Sequence, residues 1–402
     1  MKSGWEVKRL GEVCDVIGGG TPSKANSKFY DGNIHWATVR DMKGDFIKDT
    51  EHKITEDAII NSSTNIIPKG NVIIATRVGL GKICLIENDT AINQDLRGII
   101  PKKKSTISVG YLFQWLKSIA HLIVEEGTGA TVQGVKLPFI KDLELPLPPL
   151  AEQQRIVVIL DEAFVAIAKA KSNAEQNLKN AKELFESYLQ SVFENKGEGW
   201  EEKKLGEVCK VERGSSPRPI DQYFTDKPDG VNWIKIGDTK NVEKYIFTTR
   251  QKITKEGALK SRFVDIDDFI LSNSMSFGKP YIMKTQGYIH DGWFVLRLPK
   301  NIDTEFFWYL LASPYTMNQF ISLAAGAIVK NISGDLVKKT VLPIPSLEQQ
   351  QTIVQKLDAL SAETKKLEII YQQKINDLDE LKKSILQKAF AGELKTTQAV
   401  AA

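Results

Sequence analysis

Neither proline nor glycine occurs between Leu150 and Lys196, or between Ser346 and Ala391, although the 402-residue chain holds 15 prolines and 28 glycines elsewhere. These gaps lack the residues that break helices, so each stretch can run as one unbroken helix. Cysteine is scarce: Cys14, Cys84 and Cys209 are an odd number in apolar settings, which argues against a disulfide framework and predicts buried thiols in a reducing compartment. No apolar run reaches membrane length and no secretory signal is recognisable, so a cytoplasmic protein is expected. The four histidines, at positions 35, 52, 121 and 290, stand apart from each other and from the cysteines, and no zinc site is expected. A methyltransferase would need an Asn/Asp-Pro-Pro-aromatic tetrad, of which Ser313–Pro314–Tyr315 is the nearest fragment. A phosphate-binding loop fails because Ile83 follows Gly81–Lys82 and Thr76 stands where its first glycine should be. The net charge of +4 permits a nucleic-acid partner without demanding one.

What is present is a repeat. Gly4–Trp5–Glu6–Val7–Lys8–Arg9–Leu10–Gly11–Glu12–Val13–Cys14 recurs as Gly199–Trp200–Glu201–Glu202–Lys203–Lys204–Leu205–Gly206–Glu207–Val208–Cys209. Trp36–Lys43 matches Trp233–Lys240, Lys53–Thr55 matches Lys252–Thr254, and Gly81–Lys82 matches Gly278–Lys279. The offset stays between about 195 and 199, so the second half is a diverged copy of the first. Leu145–Pro146–Leu147–Pro148–Pro149 precedes the first long run and Leu342–Pro343–Ile344–Pro345 the second, where the prolines hold the chain extended and forbid an earlier helix start.

The first run places Val157, Leu160, Phe164, Ile167, Ala174, Leu178, Ala181, Phe185, Tyr188 and Val192 at steps of three and four, interrupted by Lys171. The second places Ile353, Leu357, Leu360, Thr364, Leu367, Tyr371, Leu378, Leu381 and Ile385 likewise, with Lys374 out of character. Such seams predict a left-handed supercoil, and pairing the two copies with each other covers both. The expected fold is α+β: two duplicated, strand-rich mixed domains (1–150 and 196–346) separated by long helices (151–195 and 347–393) in an antiparallel coiled coil. A linker is expected at Asn195–Gly199 and a disordered tail at 394–402. Val109–Val124 and Thr304–Ala324 read as one amphipathic helix per domain, the second with a break at Pro314.

An enzymatic reading is available in the acid-x-Lys pattern, Asp238–Thr239–Lys240 after Asp229 and Asp41–Met42–Lys43 after Asp31, which echoes Mg²⁺-dependent nucleases. No second acidic cluster accompanies either copy, and an Asp-Gly turn ahead of a strand end explains them equally well. DNA binding is better supported. Loops of the first domain carry Thr21, Ser23, Lys24, Arg40, Lys43, Arg77, Lys82, Thr131, Gln133 and Lys136, and those of the second carry Ser215, Ser216, Arg218, Lys235, Lys240, Ser274, Ser276, Lys279, Lys330 and Asn331. They mix phosphate-neutralising bases with short polar side chains able to read base edges, at corresponding places in both halves. A coiled-coil scaffold with two protein-binding modules is the competing class.

The repeat, the Leu-Pro-x-Pro entries, the Glu152–Gln153–Gln154 and Glu348–Gln349–Gln350 helix starts and the long helices together resemble the specificity subunit of type I restriction–modification systems. The likeness covers nearly the whole chain. The family's opening Trp-x-x-x-x-Leu-Gly-Glu-Val is Trp5–Val13 and Trp200–Val208, and its Gly-Gly-Gly-Thr-Pro-Ser turn is Gly18–Ser23, weakened to Gly214–Ser215–Ser216–Pro217. The second half also has His290–Asp291–Gly292 where the first has Asn93–Gln94–Asp95. The resemblance implies a non-catalytic subunit whose two target-recognition domains each read half of an interrupted site in double-stranded DNA. It also implies two modification subunits, docked on the helices and the exposed Glu-Gln-Gln segments, and restriction subunits. No cofactor is then expected in this chain, S-adenosylmethionine, ATP and Mg²⁺ belonging to the partners.

Overall fold

The computed structural model describes residues 4–127, 134–273, 278–324 and 333–394. The chain divides into two compact units, one of residues 1–174 with 373–402 and one of residues 175–372, so that each holds part of both long helices.

The strands of the first unit are β1 (Glu6–Arg9), β2 (Cys14–Gly18), β3 (Ile34–Ala37), β4 (Phe46–Ile47), β5 (His52–Ile54), β6 (Asn65–Ile67), β7 (Val72–Ala75), β8 (Ile83–Ile86), β9 (Thr90–Ile92), β10 (Leu96–Pro101) and β11 (Glu144–Leu147). They form a five-stranded sheet in the order β2-β10-β7-β8-β4, a four-stranded sheet β5-β3-β9-β6 and the pair β1-β11. Among the strand pairs of the described residues in this unit, β3 with β9 and β4 with β8 run parallel and the others antiparallel. Strand β7 shows how the layers arise. Its side chains alternate faces, so Val72 and Ile74 join the core under the helices while Ile73 and Ala75 join the core between the two sheets. With both faces covered, all four residues are buried and the strand reads as a continuous apolar run.

The second unit repeats this plan with β12 (Glu201–Lys204), β13 (Lys210–Arg213), β14 (Val231–Ile234), β15 (Tyr245–Ile246), β16 (Gln251–Ile253), β17 (Arg262–Val264), β18 (Phe269–Ser272), β19 (Pro280–Met283), β20 (Gly287–Ile289), β21 (Trp293–Arg297) and β22 (Val341–Ile344). Its sheets are ordered β13-β21-β18-β19-β15, β16-β14-β20-β17 and β12-β22, the same order strand for strand. The sequence segments most alike between the halves are partners in space: β1 lies antiparallel to β11 with Val7 opposite Pro146, and β12 to β22 with Glu202 opposite Pro343. Each opening motif thus closes the sheet pair from which a long helix departs.

Those helices are Leu150–Glu194 and Leu347–Ala391, 45 residues each, or about 68 Å at 1.5 Å per residue. In the first unit Lys171 pairs with Asp379 at 2.7 Å while Phe164 lies under Lys382 at 4.9 Å, so the helices run antiparallel there. The interruption at Lys171 is therefore filled by a cross-helix ion pair. The second seam departs from expectation: Ile375, not Lys374, is buried, and Leu381 is exposed beside a half-buried Lys382 whose ammonium lies over the Phe164 ring. In the second unit Phe185, Tyr188 and Leu189 of one helix and Ile353, Val354 and Leu357 of the other share one core with Phe306 and Phe307.

Val109–Val124 is two helices, Val109–Ser118 and Ala120–Glu125, because Ile119 leaves the helical conformation at φ −104°, ψ 9°. Its counterpart divides at Ser313 into Thr304–Ala312 and Pro314–Ala324, where the pre-proline residue is extended as Pro314 requires. Leu394 packs against the first core, and the expected tail beyond it lies outside the described residues.

Burial raises the thiols to about 12 for Cys14, about 11 for Cys84 and about 12 for Cys209. At pH 8 even the most acidic of them is thiolate in only about one molecule in a thousand. Native protein should therefore react with a thiol reagent at least a hundredfold more slowly than protein unfolded in guanidinium, which should expose all three. A fast-reacting native thiol would contradict the burial.

Candidate nucleic-acid interface

The parallel pairing of β3 with β9 brings Ala37 opposite Ile92, so the loops that follow both strands leave the sheet at one edge. The glycine turn is anchored to this edge: Gly20 N donates to Ile92 O at 3.0 Å, and Gly20 O accepts from Trp36 Nε1 at 3.2 Å and Thr64 Oγ1 at 2.7 Å. Tyr30 OH donates to Pro22 O at 2.7 Å and fixes the far side of the turn. Together these segments enclose a cleft of 1040 Å³ walled by Thr21, Lys24, Tyr30, Trp36, Arg40, His52, Gln94 and Asp95.

In the second unit β14 and β20 pair in parallel in the same way, and Ser215 N donates to Ile289 O at 3.3 Å as Gly20 does to Ile92. The corresponding cleft, of 750 Å³, is lined by Ser216, Arg218, Phe224, Trp233, Lys235, His290 and Asp291. The weakened glycine turn has a spatial reason. A Cβ on Gly19 would lie 2.1 Å from Ile92 O, and one on Gly214 would lie 2.1 Å from His290 O, so this glycine is needed in both halves. The next position is glycine in the first half and Ser215 in the second, where the hydroxyl donates to Lys260 O at 3.0 Å.

Thr21, Lys24 and Arg40 meet in the first cleft and Ser216, Arg218 and Lys235 in the second. Arg77 flanks the first, its guanidinium 3.6 Å from Asp95, and Lys136 is tethered nearby through the Val135 N to Thr76 O bond of 2.8 Å. Ser23 is exposed in the glycine turn. Lys43 and Lys82 line a neighbouring hollow, with Lys82 Nζ donating to Val39 O at 3.4 Å, and Lys279 Nζ donates to a later residue of the matching loop, Val242 O, at 3.1 Å. Lys240 is exposed outside the second cleft, and Ser215 is spent on scaffolding. Thr131, Gln133, Ser274, Ser276, Lys330 and Asn331 lie outside the described residues.

The acid-x-Lys aspartates have another task. Asp41 accepts from Thr38 N at 2.7 Å and Glu51 N at 2.8 Å, and Asp238 accepts from Lys235 N at 2.8 Å and Arg250 N at 3.2 Å. Each staples the turn that follows β3 or β14. In the first half that turn carries Arg40 at its apex, and in the second Gly237.

Residues not foreseen from the sequence are Gln94 and Asp95 in the first cleft and His290, Asp291 and Phe224 in the second. The signal was present as the unlikeness of Asn93–Gln94–Asp95 and His290–Asp291–Gly292. Burial lowers the pKa of His290, favouring the neutral ring, and its Nδ1 accepts from Gly292 N at 2.8 Å. Lys235 Nζ donates to Gln251 Oε1 at 2.8 Å and lies 5.7 Å from the Phe224 ring centre.

Each Glu-Gln-Gln segment is only partly exposed: Gln154, Glu348 and Gln349 face solvent and Glu152 is half-buried, while one glutamine of each segment turns inward. Gln153 is fully buried, accepting from Ser108 N and donating to Thr106 O and Pro148 O, each at 2.9 Å. Gln350 repeats the arrangement, accepting from Asp303 N at 2.8 Å and donating to Pro345 O at 2.9 Å. An amide suits the place because it carries two N–H donors and a carbonyl acceptor on one stem, so it can join a helix start to the helix cap beside it.

Comparison with known proteins agrees with this architecture. The type I restriction enzyme MjaIX specificity subunit of Methanocaldococcus jannaschii is 30% identical over 237 residues, 55% of each chain. The aligned region thus spans about half the length of that relative. The MjaVIII specificity subunit of the same organism is 24% identical over 422 residues, 97% of this chain and 93% of the relative. A structure solved in work on complex assembly and conformational transition of the type I R-M system has a TM-score of 0.77 at 21% identity, covering 98% of this chain and 99% of that one, a likeness of fold. Residues 2–177 and 197–377 each match the type I restriction modification DNA specificity domain, and the chain belongs to that family.

Proposed function

We propose that this chain is the non-catalytic recognition subunit of a type I restriction–modification complex, each cleft and its basic surround reading one half of a bipartite site in double-stranded DNA. The observation that carries the reading is one cleft built twice on the same sheet order but lined differently. A shared scaffold with divergent linings suits the same task on two targets. Lys24, Arg40 and Arg77 around the first cleft and Lys235 and Lys279 around the second would neutralise phosphates, while Arg218 and short polar groups within reach contact base edges. Two modification subunits and the restriction subunits dock elsewhere, carrying S-adenosylmethionine, ATP and Mg²⁺. With Gln153 and Gln350 buried, exposed apolar side chains on the helices, Val158 and Val165 on the first and Ile369 and Ile370 on the second, are the better docking candidates.

Exchange of residues 1–149 for those of a relative tests the reading. Methylation mapping of the assembled complex should show one half-site replaced and the other unchanged. Change in both half-sites, or in neither, would refute the modular assignment.

A further inference from the structure

Gln94 and Asp291 occupy the same place in the two clefts. Each is the second residue after the inner parallel strand, β9 or β20, and each accepts a hydrogen bond from the hydroxyl at the matching position of the opposite loop. Thr21 Oγ1 donates to Gln94 Oε1, and Ser216 Oγ donates to Asp291 Oδ1 at 2.7 Å. The loops are braced from behind. Arg97 NH1 donates to Gln94 O at 3.2 Å and Asp95 N to Asn93 Oδ1 at 3.1 Å, while Asp291 O accepts from Asn273 Nδ2 at 2.8 Å. One clamp thus orients an amide in the first half and a carboxylate in the second.

The two clamped groups differ in what they leave available. Gln94 is exposed, and its Nε2 has no partner among the described residues, while Oε1 keeps a second lone pair beyond the Thr21 bond. Asp291 has both oxygens engaged, Oδ1 by Ser216 and Oδ2 by Arg218 NH2 at 3.4 Å. The Ser216 hydrogen bond is the main reason that the Asp291 carboxyl sits below its ordinary pKa, which keeps it anionic beside the guanidinium. Arg218 is 82% exposed, and the rest of its donor fork has no partner among the described residues.

We infer that positions 94 and 291 set base identity: Gln94 contacts an adenine directly, and Asp291 acts through Arg218, which contacts a guanine. An amide matches the N6 and N7 edge of adenine in the major groove, and a guanidinium fork matches O6 and N7 of guanine. Asp291 is a positioning residue, because it holds the fork and leaves the base to Arg218. The inference rests on the proposed DNA-recognition function and deepens it.

The experiment uses the complete complex with its partner subunits and a duplex panel varied at every position of the methylated motif. Gln94→Ala should relax an adenine in one half-site, and Arg218→Lys a guanine in the other, by roughly ten- to a hundredfold in discrimination. Asp291→Asn should weaken the same guanine position as Arg218→Lys and leave the first half-site untouched. Arg218→Gln should shift that position from guanine toward adenine. An Arg218→Lys complex whose affinity falls equally for all four bases would make Arg218 a phosphate contact and overturn the inference. So would unchanged discrimination in the Gln94 and Asp291 variants. A wild-type complex with no base preference in either half would instead refute the recognition function itself.

Discussion

Gln153→Ala and Gln350→Ala are each expected to lower the unfolding free energy of this protein by roughly 3–5 kcal/mol, a large effect for exchanging one polar side chain. Truncating Gln153, itself fully buried, leaves Ser108 N, Thr106 O and Pro148 O without their partner, Pro148 O in a buried bond and the other two in half-buried ones. Each orphaned buried group costs about 1–3 kcal/mol, less whatever an entering water restores. Ser108 is also the cap of the helix Val109–Ser118, so the loss reaches a second element. Truncating Gln350 similarly releases Asp303 N, whose side chain caps Thr304–Ala312 by accepting from Phe306 N at 2.9 Å. The exposed neighbour Gln154 is the control, and its alanine variant should change stability by less than about 0.5 kcal/mol. Gln153→Glu separates hydrogen bonding from size. A carboxylate there would face two carbonyl oxygens, so its folded-state pKa rises above the ordinary value of about 4.3. A raised acid pKa means the variant comes nearest to wild type below that pH and falls behind as pH rises toward the folded value. Chemical unfolding at several pH values, each against wild type, measures this. A Gln153→Ala loss under about 1 kcal/mol would show that the amide does not staple the helix start.

Most of the architecture was legible because it is written in absences and repeats. Missing helix breakers announced both long helices, and the copied motifs announced two units of one plan. The seam of the second helix was misread at Lys374 and Ile375 because strict heptad spacing assumes one regular seam, whereas this helix buries Ile375 and sets the Lys382 ammonium over the Phe164 ring. Gln153 and Gln350 misled for a related reason. Glutamine is mostly a surface residue, and nothing local tells that Gln153 is enclosed by Thr106 and Ser108. In the clefts, composition pointed to the basic and hydroxyl residues. Which of them converge depends on the parallel pairing of β3 with β9 and of β14 with β20, between strands about fifty residues apart in the chain. Gln94 and Asp291 were noticeable only as a mismatch between the halves, which is how a residue that differs by target should look.

Gly214→Ala should abolish recognition of the half-site assigned to the second cleft while leaving the first half-site readable, and Gly19→Ala should do the reverse. The difficulty is space and not backbone conformation, since neither glycine is among those at positive φ. An added Cβ would meet His290 O, or Ile92 O, at 2.1 Å, and a backbone oxygen cannot rotate away. Restoring ordinary contact requires the loop to retreat by about 1 Å, at a cost of roughly 2–4 kcal/mol in stability. The retreat matters more for recognition than for folding. Residues 290–292 carry Asp291, and its hold on Ser216 and Arg218 depends on bonds of 2.7 and 3.4 Å that cannot follow such a shift. Discrimination at the affected half-site should fall by about a hundredfold or more, because a reading group displaced by 1 Å no longer meets the base edge. Ser215→Gly is the contrasting variant. It gives up one hydroxyl bond to Lys260 O and nothing else, so it should cost about 1 kcal/mol and keep the half-site preference. Binding of the assembled complex to duplexes altered in one half-site at a time separates these outcomes. A Gly214→Ala complex that keeps its preference in the second half-site within about twofold would show that the loop after β20 does not position the reading groups.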